Sequence, residues 1–306
     1  MIESITQFLQ HLQEADYSPN TITCYRSDLN VFCAWFAQNN EEPATLESIT
    51  PSDIREFRQY MLGTRGMRAR TVNRRLAALS ALLEWAHKKQ QIRDNPASQT
   101  RMVTEPPIGP RYLDKKSQYL LRHAIERDLQ FAQSRYPCRW LVHQRDASLV
   151  IFLLNTGLRI NEALNMRLSD VQIGERKGQV LINGKGQKQR IVPLNVEARK
   201  ALNAWLSVRP ANSKSSYIWI SVENPRAAHL NARSTQRALE RYARQAGIPA
   251  ISPHTLRHTF AKNLIDNGAR LDEVAALLGH ASLNTTRMYL LPNAQDLEKA
   301  VDRLEE

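Results

Sequence analysis

Between Ile5 and Trp85 apolar residues return at every third or fourth position, and only a helical chain gathers such residues onto one side. Ile5, Phe8, Leu9 and Leu12 form one stripe. Ile22, Tyr25, Leu29, Phe32 and Phe36 form a second, Ile54, Phe57 and Met61 a third, and Leu76, Leu79, Leu82, Leu83 and Trp85 a fourth. Each stripe repeats with the helical period and predicts an amphipathic helix. Ser18 is placed to cap the second helix and Thr50 or Ser52 the third; the fourth is predicted over 71–88, and Asn95-Pro96 stops the pattern. Residues 1–98 therefore read as a helical bundle. Residues 99–112 carry Pro106, Pro107, Gly109 and Pro110 with little periodicity, which suits an extended, semi-rigid linker. Asp114 caps a new helix. Two strand-like runs, 179–183 and 190–194, joined through Gly184-Lys185-Gly186, predict a hairpin, and helical patterns resume from about 195 to the end. The fold class is mainly α in two domains, 1–98 and 113–306, the second mixed α/β.

The chain of 306 residues has 42 Lys and Arg against 30 Asp and Glu, a net charge of +12. A surplus of this size favours a polyanionic partner. It is unevenly placed: residues 1–98 are neutral, yet Arg65, Arg68, Arg70, Arg74, Arg75, Lys88 and Lys89 cluster with only Glu84 opposing them. Arg65, Arg68, Arg70, Asn73, Arg74, Lys88 and Lys89 form the candidate nucleic-acid face. Cys24, Cys33 and Cys138 form no CxxC pair, which fits a reducing compartment without a disulfide framework. No signal peptide is visible, and the longest apolar run falls far below the ~20 residues that span a bilayer. A cytoplasmic protein without membrane contact is expected.

Four patches carry candidate chemistry: Thr156 to Leu164 with Arg159 and Glu162, the hairpin turn with Lys185, His254-Thr255-Leu256-Arg257-His258, and Leu278 to Ser282 with His280, followed by Tyr289. Each alone has a structural explanation. His254 and His258 have a spacing that can chelate zinc, but an arginine lies between them and no glutamate, so no metal and no cofactor is expected. Together the residues meet the needs of phosphoryl transfer. Two arginines clamp the phosphate bidentately, histidines share its oxygens and move protons, a lysine protonates the leaving 5′ oxygen, and the tyrosine attacks. A covalent phosphotyrosine conserves the bond energy, so rejoining needs no ATP.

The phrases TGLRINEAL, NGKGQKQRIVPL, HTLRHTFAKNLIDNG and LLGHASLNTTRMY, in this order, resemble the tyrosine recombinases, the phage-integrase and Xer class of site-specific recombinases. The resemblance covers essentially the whole chain. It implies an N-terminal SAM-like domain that binds the core site, and a catalytic domain with a small three-stranded antiparallel sheet. It implies Arg159 and Arg257 as the arginine pair on the scissile phosphate, Lys185 as general acid, His254 as candidate general base, His280 as a phosphate ligand and Tyr289 as nucleophile. Glu162 holds the first arginine's helix, and His258 is read as structural support. It further implies a C-shaped clamp on double-stranded DNA with inverted core half-sites, a tetramer joined through the tail that carries Leu297, Val301 and Leu304, and strand exchange through a Holliday junction. No arm-site-binding module is expected before Ile5. The stretch Leu129–Arg145 looks long for a housekeeping member, which favours a resolvase or integrase of a transposon or plasmid. The alternatives are an Xer-type chromosome dimer recombinase, a type IB topoisomerase, and an accessory DNA-binding protein without activity.

Overall fold

The computed structural model describes residues 1–104, 110–184, 189–210, 215–224, 229–280 and 282–290. Its contacts divide the chain into two compact units, Met1–Pro107 and Ile108–Glu306.

The first unit contains α1 (Ile2–Glu14), α2 (Pro19–Asn40), α3 (Pro51–Gln59) and α4 (Ala69–Lys88). The caps are local chemistry. The Ser18 hydroxyl accepts from the Thr21 amide, and Thr50 and Asp53 exchange bonds as a capping box. The four predicted stripes meet in one core, where Leu29, Phe57, Met61, Leu76 and Leu82 have no exposed surface. Phe32 and Phe57 pack edge to face at 5.1 Å. The third helix does not run regularly through Met61. It loosens into a π turn over Tyr60–Thr64, closed by Arg65 N–H on the Tyr60 carbonyl, and Gly66 at φ +56° then redirects the chain into α4. Asp28 on α2 is buried and ion-paired to Arg74 at 2.6 Å and Arg75 at 3.5 Å on α4. Burial raises its pKa against the pull of both arginines.

The expected linker is in part not free. Val103 packs on the first unit's core, and its N–H and carbonyl both bond the Asn73 carboxamide, at 2.7 and 2.9 Å. Leu113 is buried in the second unit, its amide bonded to Thr259 Oγ1 at 2.9 Å. An apolar side chain and a satisfied backbone group thus anchor each end, which composition alone did not reveal. Residues 105–109 lie outside the described residues.

The second unit is built around α6 (Trp140–Thr156), which is buried on nearly every face and so serves as the central helix. Around it lie α5 (Lys115–Arg135), the short α7 (Ile160–Leu164), and the antiparallel strands β1 (Val171–Ile173), β2 (Gly178–Asn183) and β3 (Gln189–Pro193), with β2 in the middle. The helices α8 (Val196–Leu206), α9 (Ala232–Ala246), α10 (Pro253–Asp266), α11 (Leu271–Leu278) and α12 (Asn284–Arg287) complete it. Val180 faces Val192 and Ile182 faces Arg190 across the β2–β3 ladder. The stretch 129–145 is the end of α5, a turn and the start of α6. Asp128 fastens it, accepting from His143 Nδ1 at 2.8 Å and from the Tyr242 hydroxyl at 3.0 Å.

Candidate active site

The site begins where α6 ends. Gly157 adopts φ +62°, and a Cβ there would run into the Phe260 ring, so both conformation and space demand glycine. Two residues later Arg159 caps α7. Its amide donates to Glu162 Oε2 at 2.9 Å, its Nη1 donates to Glu162 Oε1 at 3.0 Å, and its Nη2 reaches the Gly279 carbonyl at 3.4 Å. Glu162 also receives a bidentate fork from Arg190 on β3. Burial alone would raise the Glu162 carboxyl; the hydrogen bonds from Arg190 and the Arg159 amide outweigh it and hold the group below the usual carboxylate range.

Arg257 sits in the middle of α10 with only 4 % of its surface exposed. Its Nη1 donates to the Gly157 carbonyl at 2.8 Å and its Nη2 to the Leu278 carbonyl at 2.7 Å. Burial first, and then the charge of Arg159, lower its pKa to about 10. It remains a cation at neutral pH. Two chain turns, 157 and 278, are thus tied to one guanidinium.

Tyr289 is buried against Ala261, Val274 and Leu278. Its hydroxyl lies 2.8 Å from His258 Nδ1. Burial raises the phenol above its ordinary pKa, against the opposing pull of Arg257 and then Arg159. His280 follows the left-handed Gly279, and its Nδ1 meets Thr286 Oγ1 at 2.8 Å. Burial, then Arg257 and Arg159, push this imidazole down to about 4, so it is neutral at pH 7. His254 is exposed on the first turn of α10, its ring 6.5 Å from that of His258. Arg159, His254, Arg257, His280 and Tyr289 therefore gather on α7, α10 and the segment after α11. Lys185 falls outside the described residues, as do Leu297, Val301 and Leu304 of the tail.

In the first unit Arg65, Arg68, Arg70, Arg74, Lys88 and Lys89 are exposed at the start and end of α4. Arg74 is shared with Asp28, and Lys88 lies 3.2 Å from Glu84. Asn73, grouped with these cations in the sequence, is only partly exposed, and both ends of its carboxamide hold Val103.

Two residues gain weight that the sequence did not give them. Arg190 bonds Glu162 and the Leu277 carbonyl, partners 28 and 87 positions away. His258 holds the phenol itself rather than a supporting element. Among the described residues no group of three or more His, Cys, Asp or Glu side chains is placed to hold a metal ion. No described helix is long and apolar enough to cross a membrane.

Comparison with known proteins places this geometry. Residues 119–296 match the family model "Phage integrase family", and residues 5–90 match "Phage integrase, N-terminal SAM-like domain". A Tyrosine recombinase XerC of Thermodesulfovibrio yellowstonii is 31% identical over 98% of this chain and 95% of its own length. One from Corynebacterium glutamicum is 32% identical over 93% of this chain and 86% of its own. Among solved structures, XerH site-specific recombinase bound to palindromic difH substrate in a post-cleavage complex is similar with a TM-score of 0.75 and 26% identity, covering 93% of this chain and 80% of that one. The Tn1549 transposon integrase in complex with circular intermediate DNA shares the fold at a TM-score of 0.68 and 19% identity, covering 97% of this chain and 98% of that one. The chain belongs to the phage integrase family: it is a tyrosine recombinase, an enzyme of the site-specific DNA strand-transferase class.

Proposed function

We propose that this enzyme cuts and rejoins double-stranded DNA at a site with inverted core half-sites, through a 3′-phosphotyrosyl link to Tyr289 and a Holliday junction, in an Xer-type role. The observation that carries the reading is that Arg159 and Arg257 converge on one turn, through the Gly279 and Leu278 carbonyls at 3.4 and 2.7 Å, while the Tyr289 hydroxyl lies 2.8 Å from His258, the residue next to Arg257 on α10. The two guanidiniums clamp the scissile phosphate and stabilise the charge that develops on its oxygens. His280, with Nδ1 taken by Thr286, offers Nε2 to a phosphate oxygen. Lys185 protonates the leaving 5′ oxygen, and His254 is the candidate base by family pattern. Residues 1–98 hold the core site through the α4 cations, and the catalytic unit does the chemistry. Four protomers assemble through the tail.

Support for the Xer role over a mobile-element resolvase comes from relatives named XerC that align along nearly the full chain. The long look of 129–145, which favoured a mobile element, has a plain cause: two long helices meet there, clasped by Asp128, with no added domain.

The test starts from a duplex that the full chain selects out of a randomised pool, nicked so that cleavage traps the adduct. Tyr289→Phe binds this duplex and forms no covalent adduct. Adduct at the wild-type level in this variant refutes the assignment. Relaxation of supercoiled DNA lacking the selected site, as fast as DNA containing it, favours a topoisomerase instead.

A further inference from the structure

We infer that His258, and not His254, takes the proton from the Tyr289 hydroxyl as the phenol attacks the scissile phosphate, an assignment that rests on the nucleophile proposed above. A general base must reach the proton that it removes, at hydrogen-bond distance. His258 Nδ1 is 2.8 Å from the Tyr289 oxygen, with the ring planes inclined at 56°. The register that produces this contact is set locally. Ser252 and Thr255 cap α10 and Pro253 opens it, which fixes the rotation of the whole helix. Arg257 and His258 are consecutive and so diverge by about 100° around the axis. One reaches the carbonyls of Gly157 and Leu278, the other the phenol.

The groups facing His258 favour its neutral form. Burial first, then His254 and Arg257, lower it to about 4, so its Nδ1 accepts at neutral pH. The phenol is a weaker acid than usual, because burial outweighs the two arginines. A proton does not leave it for imidazole in the resting state; it moves only as the new bond forms. In cleavage an oxygen lone pair of Tyr289 forms the bond to phosphorus while the hydroxyl proton passes to His258 Nδ1. The bond from phosphorus to the 5′ oxygen breaks, and that oxygen keeps the electron pair and takes a proton from Lys185. In rejoining, the 5′ hydroxyl attacks and returns its proton to Lys185, and the His258 imidazolium returns its own to the departing phenolate.

Single-turnover cleavage of the selected, nicked duplex by full-length protein tests this assignment. His258→Ala and His258→Gln are expected to bind the duplex as the wild type does and to cleave it about 10²-fold to 10⁴-fold more slowly, the usual range for a lost acid–base group. A bridging sulfur at the 5′ position, a far better leaving group, restores Lys185→Ala but leaves His258→Gln slow. Added imidazole accelerates His258→Ala, which a merely structural role does not allow, and has no such effect on His254→Ala. Cleavage by His258→Gln within about threefold of wild type overturns the assignment. So does faster cleavage, which means that the hydrogen bond restrains the phenol, and so does imidazole rescue confined to His254→Ala. Adduct formation by Tyr289→Phe instead defeats the proposed nucleophile, which keeps the two failures distinct.

Discussion

The guanidinium of Arg190 spans both carboxylate oxygens of Glu162, at 3.1 and 2.8 Å, while its Nε reaches the Leu277 carbonyl at 3.1 Å. One side chain of β3 thus locks the helix behind Arg159 to the segment that presents His280. Removing one partner of a largely buried pair strands the other, so Arg190→Ala is expected to cost about 2–4 kcal/mol. Arg190→Lys recovers only part, because an ammonium lacks the planar fork. Urea unfolding midpoints check the size, and trapped adduct checks the accompanying loss of cleavage. An unchanged midpoint shows that the fork does not hold α7.

Gly279 and Gly247 form a matched pair for a second prediction. Both take left-handed backbone, at φ +66° and +64°, but a Cβ at 279 would come within 2.7 Å of Arg190 Nη1, whereas at 247 nothing lies within 4 Å. Gly247→Ala is expected to lose about 1–2 kcal/mol from backbone strain alone and to cleave normally. Gly279→Ala loses more and cleaves poorly, because Arg190 must leave its seat. Equal losses in thermal unfolding would falsify the steric argument.

Acid should weaken the catalytic unit through two imidazoles. His258 and His280 have folded values near 4 against 6.5 for an ordinary histidine. As pH falls below 6.5 the unfolded chain gains the proton first, so the stability they contribute is full above that value and is lost between 6.5 and 4. Both groups are half-buried, and solvent screening leaves on the order of 1 kcal/mol each. The unfolding temperature of wild type is expected to drop more steeply over this window than that of the His258→Gln/His280→Gln double variant. Parallel curves count against it.

The cations of α4 separate into two kinds. Neutralising Arg68 and Lys89 is expected to weaken DNA binding and to flatten its salt dependence, by about 0.9 in log–log slope for each phosphate that is no longer neutralised. Arg74→Ala should do this and also destabilise the first unit, because Asp28 is buried and its closest ion pair is removed. Asn73→Ala should lower stability through Val103 with little change of slope. Binding titrations at several salt concentrations, beside unfolding curves, check all four variants.

What could be read in the sequence is what short windows determine. Ser18 and Asp114 cap the helices that they were expected to cap, and of Thr50 and Ser52 it is Thr50 that caps the third, because a cap bonds an amide three residues away. The β2–β3 hairpin was visible as two short strand-like runs joined at glycines, while β1, only three residues long, has no room to show a pattern. The candidate residues Arg159, His254, Arg257, His280 and Tyr289 lie on neighbouring elements, and Lys185 lies outside the described residues. The roles of Arg190, Asn73 and His258 were hidden, since their partners lie 28, 30 and 31 residues away and no local pattern encodes such pairings. The π turn at Tyr60 was hidden too, as its side chains keep an ordinary helical rhythm up to Met61.

Arg257 is gripped by two of the protein's own carbonyls before any nucleic acid arrives. In the proposed reaction a phosphate therefore meets a cation whose aim is set by the protein's own backbone and not by the bases around it. A site of the proposed kind is indifferent to text, and discrimination falls to the surfaces that admit the DNA. An engineer who wishes to redirect such an enzyme should accordingly rewrite those surfaces and leave the turns at 157 and 278 untouched.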